Sequence, residues 1–188
     1  DGRVNGATAR RSPGSSLKPF LYALAFEERR LSPDSIVSDA PLDLDGWRPR
    51  NIERDFLGPM TAGEALRRSR NTPALRIARD LGLPSVVATL RRCGLGLPPD
   101  VIEEAGLSIA VGGVEVPPIQ LAEAYATLGR NGLHRPVRLL EDTETPTRRV
   151  FSPETCTALE SALLGAEGIE GAALPFIAAK TGTSSGLR

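Results

Sequence analysis

The feature that most constrains the fold of this chain is an apolar helical pattern that begins at a serine. From Ser15 onward, apolar residues recur at intervals of three and four, and the pattern stops near Glu28, before Ser32-Pro33. The recurring positions are Leu17, Phe20, Leu21, Leu24 and Ala25. Such a pattern is typical of a buried helix. We therefore expect a serine hydroxyl at the N-terminal end of a helix that lies inside the protein.

Several other segments also carry helix signals. Thr61-Ala62-Gly63-Glu64 matches a capping box and predicts a short helix to about Arg68, and Pro73 predicts the start of another that runs to Gly82. Ser69-Arg70-Asn71 would then lie in the joint between these two helices. Further helices are predicted at 84–92, at 117–129 and, after the cap Ser152, at 153–164.

Strand signals are confined mainly to the C-terminal end. Residues 33–59 have no helical period and are rich in Pro, Asp and Gly, which indicates an ordered loop region. The segment from Leu174 to Ser184 is apolar and then rich in Thr, which predicts a strand. A lone strand cannot satisfy its backbone groups. We therefore expect residues 1–188 to form one α/β (α+β) domain, incomplete at both ends, with a mostly helical body and a truncated sheet.

Charge and cysteine usage exclude several classes of function. The formal net charge is zero, with 23 cationic and 23 acidic residues, so no global field indicates a nucleic-acid partner or an anionic membrane surface. Cys93 and Cys156 stand outside any Cys/His cluster, which favours two buried free thiols over a metal site or a disulfide framework. No apolar run approaches the ~18 residues of a membrane span. We expect no metal, no cofactor and no anchor within this chain.

Ser15 and Lys18 have the spacing that nucleophilic catalysis needs. A serine hydroxyl is a weak nucleophile until a base within hydrogen-bond reach takes its proton. Residues three apart on a helix lie on one face, so the Lys18 amine can lie beside the Ser15 hydroxyl. The helix N-terminus and burial both disfavour the ammonium form of the lysine. Ser16 cannot replace Ser15, because Pro19 stands three residues after it.

The scarcity of lysine makes this short motif more specific than its four residues alone. A lone S-x-x-K also fits a helix start with an exposed lysine, which is the commoner situation. Here, however, only two of the 23 cationic residues are lysines, and the second, Lys180, opens the sequence Lys180-Thr181-Gly182-Thr183. Ser69-Arg70-Asn71 lies between the two lysines. Three independent motifs in this order favour a catalytic function.

The three motifs together resemble those of penicillin-binding proteins and serine β-lactamases. They are Ser15-x-x-Lys18, Ser69-x-Asn71 and Lys180-Thr181-Gly182. Three further stretches are similar to the bifunctional, class A penicillin-binding proteins, namely Arg11 to Phe20, Gly112 to Val116 and Leu121 to Ala126. Gly46-Trp47-Arg48-Pro49-Arg50-Asn51 resembles the 1C branch. The resemblance spans essentially the whole chain and implies a β-lactamase/transpeptidase-like fold, a helical body on an antiparallel sheet.

The resemblance also implies a role for each motif residue. Ser15 would attack a D-alanyl-D-alanine carbonyl and form an acyl-enzyme, with Lys18 as the general base. Ser69 would relay a proton to the leaving group, Asn71 would bind the substrate amide, and Lys180 would hold Ser69 and attract the substrate carboxylate. Thr181, Gly182 and Thr183 would line the substrate site. The backbone N–H groups of Ser15 and Thr183 would form the oxyanion hole, where one donor is worth about 10²–10³ in rate.

Within this superfamily, the choice between transpeptidase and β-lactamase depends on deacylation. Class A β-lactamases use a Glu that activates water. Glu103 and Glu104 lie in the corresponding stretch, but neither has Asn four residues later. The favoured prediction is a D,D-transpeptidase that joins peptidoglycan stem peptides, uses an acceptor amine and is inhibited by β-lactams. The alternatives are a serine β-lactamase and a penicillin-sensing or degenerate binding domain. Family analogy places the parent protein at the outer face of the cytoplasmic membrane, anchored and joined to a glycosyltransferase domain.

The histidine and the arginine pairs of the chain allow interpretations of their own. A Ser-His-Asp hydrolase would have to use His134, the only histidine, yet the chain has no Gly-x-Ser-x-Gly elbow. His134 follows the polar turn Asn131-Gly132, so we expect it to be a surface loop residue. The arginine pairs are expected to be solvated helix faces. These pairs are Arg67-Arg68, Arg91-Arg92 and Arg148-Arg149.

Overall fold

The structure, a computed structural model, describes residues 4–138, 145–165 and 177–183. Its α-helices are α1 (Lys18–Glu27), α2 (Ala62–Arg67), α3 (Asn71–Leu81), α4 (Leu83–Arg92), α5 (Val101–Ala105), α6 (Pro118–Gly129) and α7 (Pro153–Leu163). Two 3-10 helices span Gly14–Leu17 and Gly106–Val111. The strands are β1 (Ile36–Asp39), β2 (Gly58–Thr61), β3 (Leu133–His134) and β4 (Arg148–Arg149). They pair antiparallel as β1 with β2 and β3 with β4.

Helix α1 lies in the centre of the helical body. Every residue from Lys18 to Phe26 is buried, and α1 packs against α3, α4 and α7. A helix that is apolar all round can only be stable in a core, as the sequence pattern predicted. The segment that precedes it, Gly14–Leu17, is a 3-10 turn and not the first turn of the α-helix. Ser15 therefore lies just before α1, at its N-terminal end.

The predicted caps and most of the predicted helices are confirmed. The Thr61 side chain accepts a hydrogen bond from the backbone N–H of Glu64 at 3.2 Å and begins α2. The Ser152 side chain does the same for Thr155 at the start of α7. Helix α3 begins at Asn71, two residues before the predicted start. The joint between α2 and α3 is therefore short, and Asn71 belongs to the helix.

The prediction that strand lies mainly at the C-terminal end is wrong for the described residues. The 33–59 region, predicted as a loop, contributes β1 and the first residues of β2, with Ile36 paired to Thr61 and Asp39 to Gly58. Strands of two to four residues are too short to show alternation in sequence. The predicted strand from Leu174 to Ser184 lies partly outside the described residues. Its described part, 177–183, contributes one β-bridge, between Ala178 and Leu164.

His134 is not a surface residue. It is 1% exposed, and its Nε2 lies 2.7 Å from Oε1 of Glu123 on α6. The prediction failed because β3 and β4 fold the polar turn back onto α6. The other oxygen of Glu123 accepts the backbone N–H of Val137 at 3.0 Å. This pair therefore joins α6 to the chain that follows β3.

The arginine pairs are more than solvated helix faces. Arg67 donates to the carbonyl of Ala162 at 3.0 Å and so ties α2 to α7. Arg92 donates to the carbonyl of Arg149 at 2.7 Å, while Arg148 donates to that of Arg92 at 2.9 Å. Arg148 and Arg149 also form a strand, not a helix face. These guanidinium groups satisfy helix-end and strand-edge carbonyls that would otherwise face water.

Cys93 and Cys156 are buried and free, as predicted. Burial raises the pKa of Cys93 to about 12 and that of Cys156 to about 11, so both thiols are unreactive at neutral pH. In the described ranges, no helix has the length and apolarity needed to cross a membrane.

Candidate active site

A cleft of about 780 Å³ opens between the start of α1, the α2–α3 joint and the C-terminal described segment. The predicted site residues that line it are Ser15, Ser69, Asn71, Thr181, Gly182 and Thr183. Lys18 and Lys180 are not among the lining residues, but the amines of both hydrogen-bond to Ser69, which lines the cleft. The structure thus brings together residues from all three sequence motifs.

The two neighbouring serines of the first motif have different surroundings. Ser15 faces the cleft, whereas the Ser16 hydroxyl donates a 2.6 Å hydrogen bond to the carbonyl of Pro13 within its own turn. The Ser16 carbonyl in turn accepts a 2.8 Å hydrogen bond from the hydroxyl of Tyr125. Ser16 is thus used to fix the turn, and Ser15 is the serine left facing the cleft.

Lys18 is fully buried, and its amine is surrounded by acceptors. Nζ donates to the carbonyl of Ser69 at 2.5 Å and to Oδ1 of Asn71 at 2.7 Å, and it lies 3.3 Å from the Ser69 hydroxyl. Burial lowers the pKa of Lys18 well below its ordinary value, and the positive charge of Lys180 lowers it further. A lysine in this state can lose its proton at a pH where an exposed lysine cannot.

Ser69 connects the two lysines. Its hydroxyl lies 2.8 Å from Nζ of Lys180 and 3.3 Å from Nζ of Lys18. Lys180 also donates to the carbonyl of Thr181 at 2.8 Å. Burial lowers the pKa of Lys180 to about 8. The two amines and one hydroxyl form a continuous path along which a proton can move.

The segment that carries Thr181 to Thr183 lies directly against the Ser15 turn. A Cβ on Gly182 would be 2.7 Å from the carbonyl oxygen of Pro13 and 3.0 Å from the backbone nitrogen of Ser16. Gly14 has a φ of 55°, and a Cβ at this position would overlap the backbone of Thr183. Only glycine allows backbones to approach this closely. The backbone of Thr183 therefore lies next to that of Ser15.

Sequence reasoning missed the residues that support the second motif. Oδ1 of Asn51 accepts a hydrogen bond from the backbone N–H of Asn71 at 2.7 Å, and Nδ2 of Asn51 donates one to Asp39 at 2.8 Å. Arg70 lies between the two motif residues in sequence and bonds to Asp39 at 2.7 Å. Asn51 is the last residue of the stretch from Gly46 that resembles the 1C branch, so the sequence did contain a signal for Asn51 itself. Nothing in the sequence indicated its partners.

Acidic, histidine and cysteine side chains are not clustered as a set of metal ligands in the part of the chain that the structure describes. No group of three or more His, Cys, Asp or Glu side chains there could hold a metal ion. The cleft instead brings together a serine hydroxyl, two amines of lowered pKa and two backbone segments that approach each other closely. This combination suits proton transfer and nucleophilic attack by serine.

Comparison with known proteins gives a consistent family assignment. The family model described as penicillin binding protein transpeptidase domain matches residues 3–187. Penicillin-binding protein 1C of Escherichia coli (strain K12) is 35% identical over 191 residues, which cover 100% of this chain and 25% of that protein. Penicillin-binding protein 1F of Bacillus subtilis (strain 168) is 32% identical over 165 residues, with 80% and 22% covered. The chain spans about a quarter of the length of these relatives.

Solved structures agree with the fold. The apo transpeptidase domain of penicillin-binding protein 3 from Burkholderia pseudomallei superposes with a TM-score of 0.72 at 26% identity, covering 86% of this chain and 55% of that one. PonA1, a penicillin-binding protein from Mycobacterium tuberculosis, gives a TM-score of 0.73 at 23% identity over 87% of this chain and 49% of that one. The mixed helical body with short antiparallel sheets is thus the predicted fold. This chain belongs to the penicillin-binding protein transpeptidase domain family, and its similarity is to the class A members, 1C among them.

Proposed function

We propose that this chain is a serine D,D-transpeptidase that cross-links peptidoglycan stem peptides through an acyl-enzyme on Ser15 and is inhibited by β-lactams. The observation that carries the proposal is the position of the Ser69 hydroxyl between Lys18 and Lys180, beside a cleft that Ser15 lines. Lys18 and Lys180, 162 positions apart in sequence (180 − 18 = 162), meet at this hydroxyl. Such a convergence supports one shared chemical task.

Acylation begins with attack by the Ser15 hydroxyl on the carbonyl of the terminal D-Ala-D-Ala bond. Neutral Lys18 takes the hydroxyl proton, and the C–O bond forms as the carbonyl oxygen becomes an anion. The backbone N–H groups of Ser15 and Thr183 stabilise this oxyanion, which is worth about 10²–10³ in rate per donor. The close approach of the two backbones at Gly182 supports this pairing of donors.

Collapse of the tetrahedral intermediate breaks the C–N bond. The leaving D-alanine needs a proton on its nitrogen, and Ser69 supplies it while receiving one from the protonated Lys18. The product is an ester on Ser15 and free D-alanine. In the second half, the acceptor amine attacks this ester, its surplus proton returns through the same path, and a new amide forms as the Ser15 hydroxyl is restored. In both halves of the reaction, Lys18 and Ser69 carry the proton between the Ser15 oxygen and the amine nitrogen.

Substrate binding falls to the second and third motifs. Lys180, held on Ser69, supplies positive potential toward the C-terminal carboxylate of the stem peptide. Thr181, Gly182 and Thr183 form the exposed wall along which an extended peptide can lie. Asn71 presents an amide beside the attacked bond, with one of its N–H groups already donated to the carbonyl of Arg50 at 2.8 Å. Its second N–H group is the one proposed to act on the substrate.

Transpeptidation is favoured over β-lactam hydrolysis by the position of the acidic residues on α5. Glu103 and Glu104 are exposed, and neither lines the cleft that holds Ser15. A carboxylate that activates deacylating water must lie within hydrogen-bond reach of that water.

The setting of the reaction is also a proposal. Donor and acceptor stem peptides lie at the outer, periplasmic face of the cytoplasmic membrane, so the parent protein is placed there. Its proposed companions are a membrane anchor and a glycosyltransferase domain. The similarity to class A penicillin-binding proteins, of which this chain covers about a quarter, supports this arrangement.

Intact-protein mass spectrometry of the full-length protein with a labelled penicillin tests the nucleophile. We expect one adduct on wild type, one on Ser16→Ala, and none on Ser15→Ala. Ser16→Ala is the matched control because its hydroxyl bonds inside the turn. An adduct that maps to Ser16 or Ser69, or one that persists in Ser15→Ala, would refute the assignment.

The fate of the adduct separates transpeptidase from β-lactamase. We expect a long-lived acyl-enzyme that loses its reporter penicillin over many minutes, because neither Glu103 nor Glu104 lines the cleft. A stem-peptide amine should accelerate release from a donor-peptide acyl-enzyme. Turnover of a chromogenic cephalosporin at several per second would instead favour the β-lactamase alternative.

A further inference from the structure

Arg70 is a buried cation to which the proposed mechanism gives no task. Only 2% of its side chain is exposed, although it lies between the two motif residues Ser69 and Asn71. Its guanidinium bonds to Asp39 at 2.7 Å, to Glu53 at 3.1 Å and to the side chain of Asp55 at 2.7 Å. A buried charge is retained only where partners compensate its desolvation, and here three carboxylates do so.

Asp39, at the end of β1, anchors this arrangement. It is fully buried and accepts four hydrogen bonds, from Arg70, Asn51, Leu57 and Thr72. Burial alone would raise the pKa of Asp39, but the hydrogen bonds, that of Thr72 foremost, lower it. The carboxylate is therefore charged at neutral pH. We refer to Arg70, Asp39, Asn51, Glu53, Asp55 and Thr72 as the Arg70 cluster.

The cluster reaches the catalytic groups through the second motif. Asn51 holds the backbone of Asn71 at 2.7 Å, and Oδ1 of Asn71 accepts from Lys18 at 2.7 Å. Ser69 adopts a φ of 57°, a left-handed conformation that a serine rarely adopts unless its surroundings impose it. In this conformation, both the carbonyl and the hydroxyl of Ser69 face Lys18. The residue that follows the strained position is Arg70 itself.

We propose that Arg70 is the positioning residue of the cleft, and that it holds Ser69 and Asn71 against Lys18 by fastening their turn to β1 and to the 50–57 loop. Its charge and that of Glu53 also act on the Lys18 amine, as smaller contributions than burial and Lys180. This proposal rests on the proposed function. Arg70 does not touch the reacting atoms. It acts through Ser69 and Asn71, and its rigid planar fork bonds three carboxylates in a fixed geometry that a lysine ammonium does not reproduce.

The sign of the charge effect follows from the groups around the Lys18 amine. Besides burial, the charges of Lys180 and Arg70 lower the pKa of Lys18, and that of Glu53 raises it. Loss of the Arg70 charge therefore moves the pKa of Lys18 up, and loss of the Glu53 charge moves it down. Because Lys18 must be neutral to accept a proton, the acid limb of the acylation profile follows this pKa in both cases.

The test is the rate constant of Ser15 acylation by a fluorescent penicillin, measured against pH in the full-length protein. Arg70→Met should lower the maximal rate by about 10²-fold, the cost of a misplacement near 1 Å, and move the acid limb to higher pH. Arg70→Lys should keep the midpoint of the limb yet remain slow, because the charge is restored without the fork. Glu53→Gln should move the limb to lower pH.

Arg79→Met is the matched control. Arg79 is half exposed on α3, where its nearest carboxylate, that of Asp80, is 3.6 Å away, and its loss should change neither rate nor midpoint. A purely structural role for Arg70 would lower the amount of folded protein but would not shift the two midpoints in opposite directions. If Arg70→Met does not fold, Arg70→Lys and Glu53→Gln carry the test.

The possible outcomes separate this inference from the proposed function. Wild type that is not acylated at Ser15 refutes the proposed function and the positioning role together. Wild type that is acylated, with Arg70→Lys at the wild-type rate, refutes only the positioning role. An unshifted midpoint in Glu53→Gln refutes only the charge effect on Lys18.

Discussion

The two lysines of the cleft are held by two very different parts of the molecule. Lys18 is the first residue of α1, a helix that is buried from Lys18 to Phe26, and three acceptors surround its amine. Lys180 lies in the 177–183 segment, which forms neither helix nor strand among its described residues. One β-bridge, the Lys180–Ser69 hydrogen bond and the Gly182 contact join this segment to the body.

The difference separates what stabilises the protein from what completes the site. The environment of the proposed general base is part of the core, so it is fixed by the same packing that folds the chain. The proposed carboxylate-binding side depends on a few hydrogen bonds and a backbone contact. Changes there should alter the chemistry with little effect on stability, whereas the surroundings of Lys18 cannot be altered without cost to both.

The largest expected effect comes from removing the amine on the core side. Lys18→Met keeps the length and apolar stem of the side chain but removes the base, so the rate of Ser15 acylation should fall by about 10²–10⁴. Thermal unfolding should show that the variant is folded, because methionine fills a similar buried volume. A folded variant that acylates within about tenfold of wild type would show that Lys18 is not the base.

A substitution in the segment that carries Lys180 should have the next largest effect on the acylation rate. In Gly182→Ala, the new methyl group would overlap the Pro13 carbonyl and push the Lys180 segment away from the Ser15 turn. We expect the acylation rate to fall by about 10²-fold, as for a misplaced catalytic group, at an unchanged thermal midpoint.

Gly129→Ala is the control for this change, because nothing lies within 4 Å of a Cβ at that position. It should acylate at the wild-type rate. Equal rates for Gly182→Ala and wild type would mean that the close approach of the two backbones is not needed for the reaction.

The contrast between the two sides also explains what the sequence could predict. The apolar period of α1 and the caps of Thr61 and Ser152 are local signals, so the helical body and the position of Ser15 followed from them. The pairing of Lys18 with Ser15 followed from their spacing of three residues, although Ser15 lies in the 3-10 turn just before α1. These are predictions that need no knowledge of which distant segments meet.

What the sequence could not predict depends on long-range partners. His134 lies in a polar turn and is nevertheless buried on Glu123, because β3 and β4 return to α6. Arg70 resembles every other arginine of an arginine-rich chain until Asp39, 31 positions away, is placed beside it. No local pattern distinguishes such a residue from an exposed one.

The charge state of Lys180 should change the rate of acylation by about tenfold per pH unit. The pKa of Lys180 is lowered to about 8, so its positive charge is present below that pH and is lost as the pH rises through it. Above pH ~8, acylation by substrates that carry a carboxylate should therefore fall by about tenfold per pH unit. Lys180→Arg, which stays charged, should remove this basic limb. A basic limb that survives in Lys180→Arg would have to come from another group.

The smallest expected effect concerns the stability contribution of the Lys180 segment. Ile177 is 50% exposed, so Ile177→Ala should change the free energy of unfolding by less than about 0.5 kcal/mol. Leu75→Ala is the comparison from the helical body, where Leu75 is fully buried on α3, and it should cost about 2–5 kcal/mol because it leaves a cavity. Urea denaturation of both variants, read at equal m-values, measures the two losses. Similar losses would mean that the segment is packed into the core as firmly as α3, and the distinction between the two sides of the cleft would then fail.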